Sequence, residues 1–105
     1  MTTREIVKTL RSRSREPRPH AILMVAICKL RNRGYETRYI AMAFGVHRTL
    51  IPYIERKVSD LTDTNDEYIL YAKEVLSTHI LDLYPYFDKK TKKIRTYAKI
   101  DNIKL

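Results

Sequence analysis

The chain has 105 residues, 44% of them hydrophobic, and 21 Lys/Arg against 12 Asp/Glu give it a formal net charge of +9. That length suits one domain around a single modest core, and the hydrophobic fraction is too high for a disordered tail. A single cysteine, Cys28, excludes an internal disulfide and a cysteine-based zinc site, and the longest apolar run, Ala21 to Cys28, is too short to cross a bilayer. Met-Thr-Thr-Arg-Glu does not have the make-up of a signal peptide, so a soluble, cytoplasmic protein is expected. With only two glycines and little strand-type alternation, the expected class is all-α: a compact helical bundle containing a helix-turn-helix, with a long C-terminal helix and a basic tail.

Charge is unevenly spread. Residues 1–33 carry nine basic and two acidic side chains (+7), and residues 34–58 carry four and two (+2). Residues 59–84 carry one and six (−5), and residues 85–105 carry seven and two (+5). Basic ends around an acidic third quarter suggest one face for a polyanion, most simply nucleic acid, and another for the core, self-association or a partner.

In chain order, residues 2–12 predict a short helix capped by Thr2 or Thr3, with Ile6, Val7 and Leu10 inward. Arg11 to Pro19 (RSRSREPRP) is an arginine arm held extended by its prolines. Such an arm can lay Arg13 or Arg15 in a minor groove and set Arg18 on a phosphate, or it can serve as a solvated linker. His20 to Arg33 predicts the central core helix, with Ile22, Leu23, Ala26, Ile27 and Leu30 inward and Met24 and Val25 widening that face. Cys28 fits there as a packing residue. Gly34 marks the stop.

The stretch from Tyr39 to Val58 organises the rest. Ile40, Ala41 and Phe44 form an amphipathic turn or two, Gly45 stands where such a helix should end, and Leu50, Ile51, Ile54 and Val58 form a second apolar ladder. Two short helices joined by a glycine-containing turn, over about residues 36–58, describe a helix-turn-helix. The arrangement leaves His47, Arg48, Thr49, Tyr53, Arg56 and Lys57 outward as a donor-rich face suited to base edges and phosphates. Pro52 is compatible with a helix beginning after Thr49, because in the first turn no ladder hydrogen bond is lost. Arg48 then falls in the turn.

Ser59 to Asp63 is expected to break the helix. The next should begin at Thr64 or Asn65 and run to about Tyr84, stopping at Pro85. Ile69, Ala72, Leu76, Ile80 and Leu83 make one stripe of it. Tyr68, Tyr71 and Val75 make a second that either widens the core or meets a second copy in a homodimer. His79 and Asp82 share helical spacing, but packing explains His79 better than a metal does. The domain is therefore drawn at residues 1–84, with a basic extension at 85–105 in which Ile94, Thr96 and Ile100 suit a short strand, an extended arm on DNA or a solvated tail.

Through RPHAILMVAICKL and AFGVHRTLIPYIERKV the chain resembles the C-terminal DNA-binding domain (domain IV) of the bacterial replication initiator DnaA, of the Trp-repressor-like helix-turn-helix group. The matching residues are Arg18 and Pro19, Phe44 and Gly45, then His47, Thr49, Leu50 and Ile51, within roughly residues 11–60. Val46 stands where that family usually has aspartate, and Arg48 replaces a small hydroxyl residue. The resemblance implies base contacts from His47 and Thr49, a minor-groove arginine at Arg13 or Arg15, and backbone contacts from Arg18 and His20. No glycine-rich phosphate loop ending in Lys-Ser or Lys-Thr is present, which points to a stand-alone version of the kind found in phages and mobile elements.

The expectation is thus a sequence-specific double-stranded DNA-binding protein, a small transcriptional regulator or replication accessory near the nucleoid of a bacterial or phage-infected cell. No cofactor, metal or membrane is implied. The alternative is a protein-interaction module docking through the acidic, tyrosine-rich helix. RNA binding ranks below both because the eight tyrosines are spread through expected helices. No nucleophile motif, carboxylate pair or Cys/His/Asp cluster suggests an enzyme.

Overall fold

A computed structural model describes residues 1–12 and 15–102. Its central element is α2 (Pro17–Asn32), which buries Ala21, Ile22, Met24, Val25, Ala26, Ile27 and Leu30 and is the helix on which the first, fourth and fifth helices chiefly pack. Burial on so many sides is what its unbroken apolar run dictates. The helix begins at Pro17 rather than His20. Pro17 and Pro19 lie in its first turn, where a missing N–H leaves nothing unpaired and the fixed φ already suits a helix. Gly34, at φ +95°, ends the excursion.

Around it lie α1 (Thr3–Arg11), α3 (Thr37–Phe44), α4 (Leu50–Asp63) and α5 (Glu67–Leu76), then an antiparallel hairpin of β1 (His79–Asp88) and β2 (Lys93–Asn102). Thr2 caps α1 by accepting a hydrogen bond from the Glu5 N–H at 3.2 Å, and Ile6 and Leu10 are its buried residues. The segment Ser59–Asp63 does not break the helix. It forms the end of α4, which stops where Asn65 takes a left-handed φ of 57°. Asp66 then caps α5 by accepting from the N–H groups of Tyr68 and Ile69, both at 3.1 Å.

The expected all-α bundle with a long C-terminal helix is wrong from Ser77 onward. From His79 the side chains alternate: His79, Leu81 and Leu83 are buried, while Ile80 and Tyr84 are exposed. That period of two, among β-branched and aromatic residues, prevails once a partner strand satisfies the backbone. Pairing runs without interruption from His79↔Asn102 to Asp88↔Lys93. Pro85, expected to end a helix, sits within β1 opposite Thr96, and each strand of a two-stranded sheet has a free edge that tolerates it. The boundary drawn at 84/85 falls inside β1, and Ile100 belongs to the same core as Leu81 and Leu83. Of the segment expected as a basic tail, residues 85–102 supply the end of β1, the turn and β2.

At its base the hairpin is tied to the helices. Arg33 forms an ion pair with Asp82 at 2.6 Å, and the Tyr35 hydroxyl donates to the same carboxylate oxygen at 2.9 Å. That pairing makes Arg33 hold its proton more tightly than usual. Lys29 donates to the Leu76 carbonyl at 2.9 Å, satisfying the C-terminal end of α5, while partial burial lowers its pKa. Among the described residues, no helix is long and apolar enough to cross a membrane.

Candidate nucleic-acid interface

The corner between α3 and α4 is built from the inside. Ile40 and Ala41 of α3 are buried, and the small Ala41 leaves room at the corner. Gly45 ends α3 at φ 65°, ψ 32°, a conformation that a side chain disfavours, and the Val46 N–H closes the turn onto the Ala41 carbonyl at 3.1 Å. Val46 is half-buried against the core. The chain then tightens: Leu50 N–H donates to the His47 carbonyl at 3.0 Å, and Ile51 N–H to that of Arg48 at 3.2 Å. Helix α4 starts at Leu50, so Arg48 lies in the turn and Pro52 in the first helical turn.

Thr49 occupies the N-cap position, but its side chain accepts no bond from α4. The turn is organised by His47 instead. His47 Nδ1 accepts from the Thr49 N–H at 3.2 Å and lies 2.7 Å from Thr49 Oγ1. With Nδ1 occupied as an acceptor, the neutral ring carries its proton on Nε2, which becomes a donor for a ligand. His47 and Thr49 therefore form one hydrogen-bonded unit.

Ile51 and Val58 are the fully inward residues of α4, with Ile54 half-buried between them. His47, Arg48, Thr49, Tyr53, Arg56 and Lys57 are all exposed, as the sequence pattern expects. Lys57 Nζ lies 5.9 Å from the Tyr53 ring centroid, giving the cation an aromatic backing. Arg48 and Arg56 form no ion pair among the described residues, whereas Glu55 is engaged with Arg31 at 3.5 Å. The acidic residues of the helix's exposed surface, Asp60 and Asp63, lie at its far end. Arg48 in the turn and Arg56 and Lys57 at the middle of α4 are thus set apart from the acidic end of the helix.

Leu50, expected to face inward, is 44% exposed. The inward row is 51–54–58, and Leu50 falls beside Tyr53 and Lys57 at helical spacings of three and seven. Its position one residue off that row was the available signal. It adds an exposed apolar side chain to the face.

The arm is dispersed by comparison. Arg13 lies outside the described residues. Arg15 is exposed just ahead of α2. Arg18, in the first turn of α2, sets its guanidinium 5.5 Å from the Tyr71 ring of α5, and His20 is half-buried. Tyr68, Tyr71 and Val75, the second stripe expected of the C-terminal helix, are half-buried against the core and widen it. Burial pushes the Cys28 thiol up to about 11, with Glu55 adding to the effect, so its thiolate is scarce at neutral pH. His79 is buried at the start of β1, with Nδ1 3.2 Å from the Val75 carbonyl, and no group of three metal-ligating side chains occurs among the described residues.

No protein-family model matches the chain, and neither does any curated protein or solved structure.

Proposed function

We propose that the chain is a sequence-specific double-stranded DNA-binding protein, acting as a small transcriptional regulator or replication accessory through α4 in a major groove. The observation that carries this reading is the face formed by the α3–α4 turn and the first eight residues of α4. His47, Arg48, Thr49, Tyr53, Arg56 and Lys57 are exposed together, and Ile40, Ala41 and Ile51 are buried beneath them. A reader of bases needs that combination, because a side chain discriminates between base edges only when its backbone is held still.

In this reading the His47 Nε2–H and the Thr49 hydroxyl meet base edges, and Arg48 offers two parallel donors to a guanine or a phosphate. Tyr53, Arg56 and Lys57 hold the backbone. Arg13 or Arg15 enters a minor groove, and Arg18 and His20 add backbone contacts, as the likeness to DnaA domain IV implies. The same likeness favours a domain acting at the nucleoid, in the cytoplasm of a bacterial or phage-infected cell. A two-fold symmetric target would indicate a homodimer.

Gel shifts against competitor DNA over a range of salt concentrations test the proposal. With about six phosphate contacts, log affinity should fall against log salt with a slope near −5. Arg48→Ala with Thr49→Ala should flatten preference among sequences and leave that slope nearly unchanged. If these substitutions alter neither preference nor affinity, α4 is not the reader.

A further inference from the structure

The projecting half of the hairpin is unlike the rest of the molecule. From Tyr84 to Arg95 every residue is exposed except Asp88, which is half-buried. The last buried residues on the two strands are Leu83 and Thr96, so the turn extends roughly 15 Å beyond its anchored base at strand rise. Two-stranded hairpins are marginal on their own, and this one is braced on both faces. On one face, Tyr84 stacks against its cross-strand partner Tyr97 with centroids 5.7 Å apart, and Tyr86 meets Tyr97 edge-on at the same distance. On the other, Phe87 is paired in register with Ile94, and both are about 60% exposed. Asp88 locks the end by accepting from the Lys90 N–H at 2.9 Å and pairing with Arg95 at 3.2 Å.

What this bracing holds out is charge. Residues 86–95 contain Lys89, Lys90, Lys92, Lys93 and Arg95 against Asp88 alone, five cations to one anion, or +4. Lys92 even adopts a left-handed φ of 54°, a position usually given to glycine or asparagine. Lysines crowded into one turn repel each other and contribute nothing to a turn that smaller residues would make more easily. The arrangement makes sense with a polyanion.

The hairpin also lies beside the α3–α4 corner. Phe44 and Gly45 line one cavity together with Tyr97 and Ala98, and Met42 and Ala43 line the next with Lys93, Ile94 and Arg95. The Thr96 hydroxyl donates to Met42 Sδ at 3.6 Å. β2 therefore runs past the C-terminal turn of α3, which leads directly into His47 and Thr49.

We infer that the β1–β2 hairpin is a second DNA-contacting element, a stiff ribbon whose lysine tip takes phosphates of the same duplex that α4 reads, flanking the read site. This rests on the assignment of α4 as a DNA reader. The tip adds affinity and length of contact and no base discrimination, since lysines on a turn meet phosphates as point charges.

The test replaces Lys89, Lys90, Lys92 and Lys93 with Gln in the full chain. All four are exposed, and only Lys93 borders another element, at the cavity beside Met42 and Ala43, so folding is expected to be unchanged. Duplex affinity is measured over a range of salt concentrations, and the protected length is mapped by hydroxyl-radical cleavage. With about three phosphates lost, the salt slope should become shallower by roughly 2.7, affinity at 0.1 M salt should fall on the order of a hundred-fold, and protection should shorten at a flank. Sequence preference should stay as it was, and the matching Lys→Arg variant should restore the slope. An unchanged slope and footprint in the Gln variant overturns the inference, and it leaves the α4 reading standing provided Arg48→Ala with Thr49→Ala still flattens preference. If the Gln variant keeps its duplex affinity but loses binding to phosphatidylserine vesicles, the tip is a membrane contact and the inference is likewise overturned.

Discussion

The α3–α4 corner and the β1–β2 hairpin both present cations to solvent, yet they are held in place by opposite means. Beneath the corner lie Ile40, Ala41 and Ile51, each 6% exposed or less, so its outward side chains stand on the core itself. The outer half of the hairpin has no buried core beneath it: it is braced by rings and side chains lying across its own two strands, and at Lys93 to Arg95 it borders Met42 and Ala43 of α3. The difference suits the two proposed roles. Discrimination between bases requires side chains fixed to within a fraction of an ångström, whereas a phosphate contact needs only charge carried to the right distance.

The sharpest way to break this comparison is to remove the same side chain from each region. Ile51→Ala empties a fully buried site and should cost about 2–5 kcal/mol, lowering Tm by more than about 10 °C. Ile94→Ala, at a position 62% exposed, should shift stability by no more than about 0.5 kcal/mol in the same melts. Equal losses would mean that the outer hairpin shares the core after all.

Gly45→Ala comes next. A Cβ at φ 65° is strained by about 1–2 kcal/mol, and because Gly45 sets the corner, sequence preference should weaken along with stability. The corresponding probe of the hairpin is Tyr97→Thr, which keeps a good strand former and removes two ring contacts. A loss of about 0.5–1.5 kcal/mol is expected, visible as faster amide exchange in residues 84–95 with little change in exchange from α2. Exchange that quickens equally in both would show the hairpin and the helices opening as one unit. Pro52→Ala should have the smallest effect, a few tenths of a kcal/mol, because Pro52 lies in the first turn, where its absent N–H loses no helical bond. A loss above about 2 kcal/mol would show that the proline itself fixes the start of α4.

The same contrast explains what could be seen in the sequence. The corner was legible because its signals are local and agree: a glycine at the stop, alanine at the crossing, aliphatics at helical spacing and a proline that permits only one helix start. Leu50 adjoins the inward row without belonging to it, so the apolar ladder does not separate it from Ile51. The hairpin was hidden for three reasons. Leu76, Ile80 and Leu83 lie four and three apart and imitate a helical stripe, although Ile80 is exposed in the strand. Its turn contains no glycine, the left-handed residue being Lys92. Its pairing joins residues up to 23 apart, from His79 to Asn102, which no local pattern discloses. The end of α4 was missed similarly, since its left-handed stop is Asn65. Among the candidate interface residues, the outward set of the α3–α4 turn and α4 can be read from periodicity, whereas the lysine cluster reads as a tail until β1 and β2 make it a tip.

Selection of duplexes from a random library, run in parallel with the unmodified chain and with Arg48→Ala/Thr49→Ala, tests most directly whether the exposed face of α4 reads bases. The expected result is an enriched motif of several base pairs for the unmodified chain and a motif weakened or erased at two or three positions for the variant. Identical motifs from both proteins, or no enrichment from the unmodified chain, would contradict the account.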